Sequence, residues 1–431
     1  MGNKKDIIIT ANSPGEVATW LMPAVRALGE RLPEAEITVF IPPCTFASGR
    51  EAAVAAAFPE VKRTFNGRQL FSFIFAGRPL PDFEPGPHGV VLFLGGDLIY
   101  ATLLARRLGY PAFAYTEGRA QWINQFAGFL LPDDQARIKA LQSGAPPDKL
   151  YVVGDLMLDA IELHWERADL YRALQLDAHR SVIALFPGSR PYEFRYMLPL
   201  LLRSAEIISR DLRAIQFVLS VSPFVTEDFL RDALTHPSGV LEGTGGQILA
   251  SDEIESVALS RACAPSALGH IWQIKTWGGL SLPAVQGWQY DTMGLAALGI
   301  TIPGSNTAEL AALGVPMVVA IPLNKPEVIP LQGLPGLVGS IPLIGPYIKR
   351  RAVLSAAQRI QFTALPNQKA QEELVPEIKG ELRPEDLAIA VGHLMRHPEK
   401  LKGISDRLKQ VMGPSGAAYM IAETLAAVLD A

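Results

Sequence analysis

"VIALFPGSRPYEFRYMLPLLLRSAEII", Val182 to Ile208, changes its period in the middle. An unbroken apolar run, Val182–Phe186, stops at Pro187-Gly188-Ser189-Arg190, and from Tyr192 onward apolar residues return at helical spacing. A short apolar run closed by Gly and Pro suits a strand covered on both faces. A 3.6-residue period suits an amphipathic helix. The stretch therefore predicts strand, tight turn and helix, the repeating unit of doubly wound parallel sheets.

The unit recurs in both directions. Strands are expected at Asp6–Asn12, Glu36–Pro42, Gly89–Gly96, Pro111–Thr116, Gly128–Pro132 and Leu150–Gly154, with helices at Glu16–Arg31, Leu98–Leu108 and Asp133–Gln142. Met157–Leu176 predicts one long helix leading out of this series. The pattern then restarts with strands Val182–Phe186, Ile215–Ser220, Gly299–Ile302 and Pro316–Ile321, and helices Glu193–Leu212 and Thr307–Leu313. Two successive βα series in 431 residues predict an α/β protein of two doubly wound domains facing a cleft. Two regions break the rhythm. Phe65–Pro87 mixes aromatics with Arg68 and Arg78, and 325–351 is apolar, rich in Gly and Pro, and ends in Lys349, Arg350 and Arg351. Both suit loops or lids over the core. Apolar residues beside cations also suit an anionic membrane surface.

Composition narrows the class. Hydrophobic residues make up 49% of the chain, yet no uncharged apolar run reaches the roughly 18–20 residues of a spanning helix without Gly or Pro. The N-terminal apolar core is too short for a signal peptide. Cys44 and Cys263 stand far apart, which suits a reducing cytoplasm and makes no metal-ligand cluster. The net charge of −4 disfavours nucleic acid as the main partner. The seven histidines form no HExxH and no His/Cys pair, so metal and triad chemistry have no support.

In open parallel sheets ligands bind beyond the carboxyl ends of the strands, and Pro187–Arg190 occupies such an end. A helix starting there presents unpaired N–H groups and a positive dipole end, a seat for phosphate. Gly188 lets backbone approach, Ser189 can donate or cap, and Arg190 carries a fork of donors matched to phosphate oxygens. A plain capped turn with a surface arginine is the simpler alternative. A second turn in the same half repeats the design: Pro303-Gly304-Ser305-Asn306-Thr307, followed by a helix carrying Glu309. A carboxylate suits the first helical turn electrostatically, and it could instead accept both hydroxyls of a ribose. Two polar glycine turns in one domain favour a nucleoside-diphosphate site over two ordinary caps. Neither matches a Walker A or GxGxxG pattern. In the first half, Asp97 follows the Gly95-Gly96 turn, where it can cap the next helix or act as a general base. Gly15 and Glu16 follow the first strand at the same end.

Several segments are similar to the lipid-A-disaccharide synthase family of bacteria. LFPGSRPYEFRYMLPLLLRSA resembles its LLPGSR-x-x-E-I segment, and IPGSNTAELAALGVPMVV resembles SGTATLEAALLGVPMVV. Thr363–Leu387 resembles its LPN…VPEL segment, YVVGDLMLDAI its FVGHPLADAI, and GEVATW keeps the Gly-Glu of GEASGD. The matches run in order along nearly the whole chain. The resemblance implies a GT-B fold: an acceptor-side domain at 1–175, a nucleotide-sugar domain at 176–398, and C-terminal helices at about 399–431 returning to the first. It implies an inverting, metal-independent sugar transfer from a UDP-sugar, as co-substrate and with no other cofactor, to a lipid-linked acceptor. By motif, Gly188, Ser189 and Arg190 would hold the diphosphate. Gly304, Ser305, Asn306, Thr307 and Glu309 would line the nucleotide, with Asn367 near the donor. Asp97 falls where the family's IDAPDF motif ends, making Asp97, then Glu16, the catalytic candidates. The Ser-Gly-Asp of GEASGD is replaced by Val17-Ala18-Thr19-Trp20, so the donor half is better kept than the acceptor half. That points to a related glycosyltransferase with a different acceptor. The expected partners are the donor, a lipid or glycolipid acceptor, a membrane surface touched peripherally and a second copy in a homodimer. The alternatives are a UDP-N-acetylglucosamine 2-epimerase-like enzyme and an inactive nucleotide-sugar-binding protein.

Overall fold

The computed structural model describes residues 4–43, 51–241, 243–249, 269–324 and 360–430. The chain divides into two compact units, Met1–Ile161 with Pro414–Ala431, and Glu162–Gly413. The first unit holds β1 (Lys5–Thr10), β2 (Ala35–Ile41), β3 (Val61–Asn66), β4 (His88–Phe93), β5 (Ala112–Tyr115), β6 (Gly128–Leu131) and β7 (Leu150–Val152). They form one parallel sheet in the order β3-β2-β1-β4-β5-β6-β7, the doubly wound arrangement that reverses direction between β1 and β4. Ile8 of β1 stands opposite Thr38 of β2 and Val91 of β4.

The apolar strands owe their composition to a sheet covered on both sides. Ile7 and Ile9, with Val90 and Leu92, enter one core, while Ile8, Val91 and Phe93 enter the other. Alternate side chains point to opposite faces, so a strand buried on both must be apolar throughout. Each fully buried Ile, Val or Leu contributes about 1.5–3 kcal/mol. The first core is closed by helix Ala417–Leu429, which buries Ile421, Ala422, Leu425 and Leu429. Asp159 anchors the start of that helix by accepting the N–H groups of Gly416 (2.5 Å) and Ala418 (2.6 Å).

The second unit holds β8 (Ser181–Phe186), β9 (Ile215–Val221), β10 (Gly246–Ile248), β11 (His270–Thr276), β12 (Ser281–Gln286), β13 (Leu298–Thr301), β14 (Met317–Pro322) and β15 (Glu377–Gly380). Their order is β10-β11-β12-β9-β8-β13-β14-β15, with β10–β11 and β11–β12 antiparallel and the other pairs parallel. Helix Pro191–Asp211 lies on this sheet through Phe194, Leu198, Leu201 and Ala205.

Three expectations need correction. Met157–Leu176 is not one helix: it makes Leu156–Asp159 and Arg167–Ala173 with irregular chain between them. Buried Asp291 accepts the N–H groups of His164 (2.7 Å) and Trp165 (2.8 Å), drawing that segment out of helical geometry. Trp165 meets Trp288 edge to face, and Leu170 and Leu174 pack with Val182 and Val218, so the second unit begins at Glu162 rather than after 175. At the other end only Pro414–Ala431 belongs to the first unit. Helix Pro398–Met412 stays with the second, where Leu401 and Ile404 pack against its core. Finally, Phe65–Pro87 is not mere loop. It completes β3 and forms helix Gly67–Ala76, capped by Asn66 and Gln69, with Phe65, Leu70, Phe73, Leu80 and Phe83 buried. The segment 325–351 lies outside the described residues, as do Cys44 and Cys263.

Candidate functional site

Both glycine turns stand at the carboxyl ends of adjacent strands, β8 and β13. Gly188 has φ +118°, and a Cβ there would lie 2.8 Å from the Glu193 Cβ and 2.8 Å from the Ile302 Cδ1. Only glycine suits that backbone at so close an approach. The Arg190 N–H donates to the Glu193 carboxylate at 3.3 Å, half of a capping box, and its guanidinium donates to Glu193 (3.0 Å) and the Tyr192 hydroxyl (3.2 Å). Arg190 is thus held over the start of its helix with about half of its side chain exposed, 53%. Ser189 is exposed, and its carbonyl accepts from the Ser222 hydroxyl at 2.6 Å. Gln286 in turn donates to the carbonyls of Ser222 (2.7 Å) and Val225 (2.8 Å). The chain beyond β8, β9 and β12 is tied together by these bonds. A phosphate at this turn would find an arginine already aimed and would compete with Glu193 for it.

At the second turn Gly304 (φ +144°) precedes helix Ser305–Ala312. Ser305 is exposed and Asn306 half-buried. Thr307 is fully buried and structural: its hydroxyl donates to Gly304 O (2.7 Å) and accepts from the Leu365 N–H (3.1 Å). That bond brings the LPN segment against the turn. Asn367 has every amide position occupied. Its Oδ1 accepts from Leu374 N (2.9 Å) and Val375 N (3.0 Å), and its Nδ2 donates to Val375 O (2.8 Å) and Glu377 (2.9 Å). It lies beside the turn as expected, but as a brace with no donor or acceptor to spare.

Glu309 is different. It is 3% exposed, and no residue among those described forms a hydrogen bond or ion pair with its carboxyl. Burial pushes that carboxyl up to about 7. Tyr290 stands near it on the first turn of helix Gln289–Leu295, and burial, then the Glu309 charge, pushes its phenol upward. A buried, unpartnered acid costs stability unless something donates to it. Sequence reasoning missed Tyr290, since an aromatic in the first turn of a short helix carries no signal of a distant carboxyl.

In the first unit Asp97 is exposed and accepts the Ile99 N–H at 3.0 Å, the bond of an ordinary N-cap. Glu16 lies over the ends of β1 and β4. Its Oε2 accepts from Asn12 N and Ser13 N, both at 3.1 Å. A Cβ on Gly95 would fall 1.9 Å from that oxygen, so the carboxylate occupies the space a side chain would need. The structure therefore gathers Glu16, Gly95 and Asn12, and places Asp97 just past the same turn. Among the described residues no three His, Cys, Asp or Glu side chains gather as a metal site. No helix of those residues is long and apolar enough to cross a membrane.

Residues 148–237, which carry the Pro187–Arg190 turn, match the family model for lipid-A-disaccharide synthetase. The chain is 24% identical to the lipid-A-disaccharide synthase of Neisseria meningitidis serogroup B over 435 residues, 94% of this chain and 92% of that protein. With the synthase of Syntrophus aciditrophicus it shares 23% over 331 residues, 73% and 68% of the two chains. Among solved structures, UDP-GlcNAc 2-epimerase from Neisseria meningitidis bound to UDP-GlcNAc superposes with a TM-score of 0.53, covering 98% of this chain and 100% of that one at 14% identity. Another UDP-N-acetylglucosamine 2-epimerase gives 0.54 at 12% identity, covering 98% and 94%. Likeness at that identity concerns the fold alone. By sequence the chain is similar to the lipid-A-disaccharide synthases, at a divergent level of identity, and by structure it has the GT-B type of fold.

Proposed function

We propose that this protein is a glycosyltransferase that moves a sugar from a UDP-sugar to a lipid-linked acceptor, with inversion and without a metal ion. The observation that carries the reading is Glu309, an acid buried beside a polar glycine turn with nothing among the described residues donating to it. The vicinal hydroxyls of a ribose are two donors at the spacing of one carboxylate. The diphosphate then lies across the two turns, where the helix starts at Pro191 and Ser305 and the Arg190 fork supply positive potential for the departing UDP. Gly188, Ser189, Gly304, Ser305 and Asn306 contribute backbone and small polar groups to that seat. Asp97, or Glu16 in its stead, takes the proton of the acceptor hydroxyl as the glycosidic bond forms and the sugar–phosphate bond breaks.

The lipid nature of the acceptor has its own support. Phe71 and Phe75 are 37% and 66% exposed, stack on each other at 5.9 Å, and share their surface with exposed Arg68 and Arg78. Aromatics with arginines suit the interface of an anionic bilayer, which would hold the enzyme at its acceptor without a spanning helix. The deciding experiment incubates the protein with UDP-GlcNAc and a bacterial lipid extract. UDP release that requires lipid, with the sugar recovered on a lipid, is expected. Sugar released or converted without any lipid would favour an epimerase-like enzyme instead. UDP binding with neither outcome would favour an inactive binding protein.

A further inference from the structure

The helix that follows β1 opens as Pro14–Glu16, widens into a π-turn over Val17–Leu21, and only then continues as Met22–Arg31. Met22 N–H bonds to the Val17 carbonyl, five residues back. Such turns are rare and cluster at functional sites. This one falls on the residues that depart from the GEASGD pattern, and it carries Trp20. The indole is half-buried and meets Tyr115 edge to face, 5.3 Å between ring centres. Tyr115 is itself fixed: its hydroxyl accepts from Leu156 N (3.1 Å) and donates to Gly154 O (3.3 Å). A large aromatic is therefore propped on a rigid support at the carboxyl ends of β1, β4 and β5, with part of its surface uncovered.

The same strand ends carry hydrogen-bonding atoms of one kind that have no partner among the described residues. Asn12 is 7% exposed; its Nδ2 reaches only Pro43 O at 3.5 Å, and its Oδ1 has no partner among the described residues. Glu16 spends Oε2 on two N–H groups, and its Oε1 likewise has no partner there. An aromatic face and two acceptors without a described partner, gathered at the ends of the same strands, match a ring that is apolar on one face and lined with hydroxyl donors at its rim. A phosphate would be repelled by Glu16.

We propose that Trp20 is the acceptor-specificity residue of this chain: the platform on which a neutral pyranose ring stacks, with its hydroxyls donating to Asn12 Oδ1 and Glu16 Oε1. This rests on the glycosyltransferase reading for its biological meaning, but the saccharide site stands or falls by itself. The departure from GEASGD then has a purpose, exchanging a short polar side chain for a stacking surface.

The test labels the full chain with 5-fluorotryptophan and assigns the Trp20 line among the six tryptophans as the one lost in Trp20→Phe. Methyl β-D-glucopyranoside and its 2-acetamido analogue are the probes, and UDP is titrated separately by calorimetry. The Trp20 line moves with one of the glycosides and stays still with UDP. Unlabelled Trp20→Phe, with unchanged melting temperature, keeps saturation-transfer contact to that glycoside, whereas Trp20→Leu weakens binding about tenfold. A Trp20 line that does not move up to roughly 50 mM of either glycoside overturns the proposal. So does binding in Trp20→Leu equal to the parent. Loss of UDP binding with a moving Trp20 line would instead overturn the donor assignment and leave the saccharide site standing.

Discussion

Replacing Glu309 by glutamine removes a charge from the interior while keeping shape and one acceptor oxygen. The carboxyl lies at about 7 instead of 4.5 because burial disfavours its charged form. For an acid raised in this way, the favourable contribution is complete below about pH 4.5 and is lost as pH rises through about 7. The interval, at about 1.4 kcal/mol per pH unit, makes the ionised side chain cost about 3 kcal/mol in the unliganded protein at alkaline pH. Glu309→Gln should therefore match the parent near pH 4.5 and exceed its stability by about 2–3 kcal/mol at pH 8.5. For a unit of this size that is roughly 5–10 °C in melting temperature. The binding arm runs the other way. If the carboxylate accepts two ribose hydroxyls, the variant should lose about 1.5–3 kcal/mol of UDP affinity, and the parent should bind UDP more tightly above pH 7 than below it. Melting curves across pH and calorimetric titration of UDP read both effects on the same samples. Equal stability of the two proteins at every pH would refute the buried, unpartnered acid. Equal UDP affinity would remove Glu309 from the nucleotide site even if the stability result held.

Arg190→Ala should weaken UDP binding by about 1.5–3 kcal/mol through loss of a charge-assisted contact, and unchanged affinity in a folded variant would remove the turn from the site. Asp97→Asn should leave melting temperature and UDP affinity alone, because Asn caps a helix about as well, while lowering turnover roughly 10²–10⁴-fold. Near-normal turnover with the true acceptor would transfer the role to Glu16. Flotation with anionic vesicles should weaken as salt rises, at about 1 kcal/mol per basic residue near the surface, and should fall further in Phe71→Ser/Phe75→Ser. Flotation indifferent to lipid charge and salt would refute the electrostatic part.

Sequence alone determined the features whose cause is local. Apolar runs such as Ile7–Ile9 and Val182–Phe186, closed by Gly and Pro, could only be strands covered on both faces, and the helices between them forced a parallel, doubly wound arrangement. The turns at Gly188 and Gly304 were visible for the same reason, since their geometry depends on residues within one or two positions. What required the tertiary structure was set by partners far along the chain. Met157–Leu176 has helical periodicity, but Asp291 takes two of its N–H groups and the helix breaks there. The hairpin of β11 and β12 is a different case, because Gly278-Gly279 between two β-rich runs is a local signal for it that the sequence reading passed over. Glu309 and Asn367 are both polar residues beside the same turn. Only the fold makes one a saturated brace and leaves the other a buried acid with nothing among the described residues donating to it. The setting of Trp20 also emerged only when the π-turn placed it against Tyr115, 95 positions away in a sheet whose strand order the local pattern does not state. Burial and hydrogen-bond partnership are properties of the assembled core, and a local period carries no record of them.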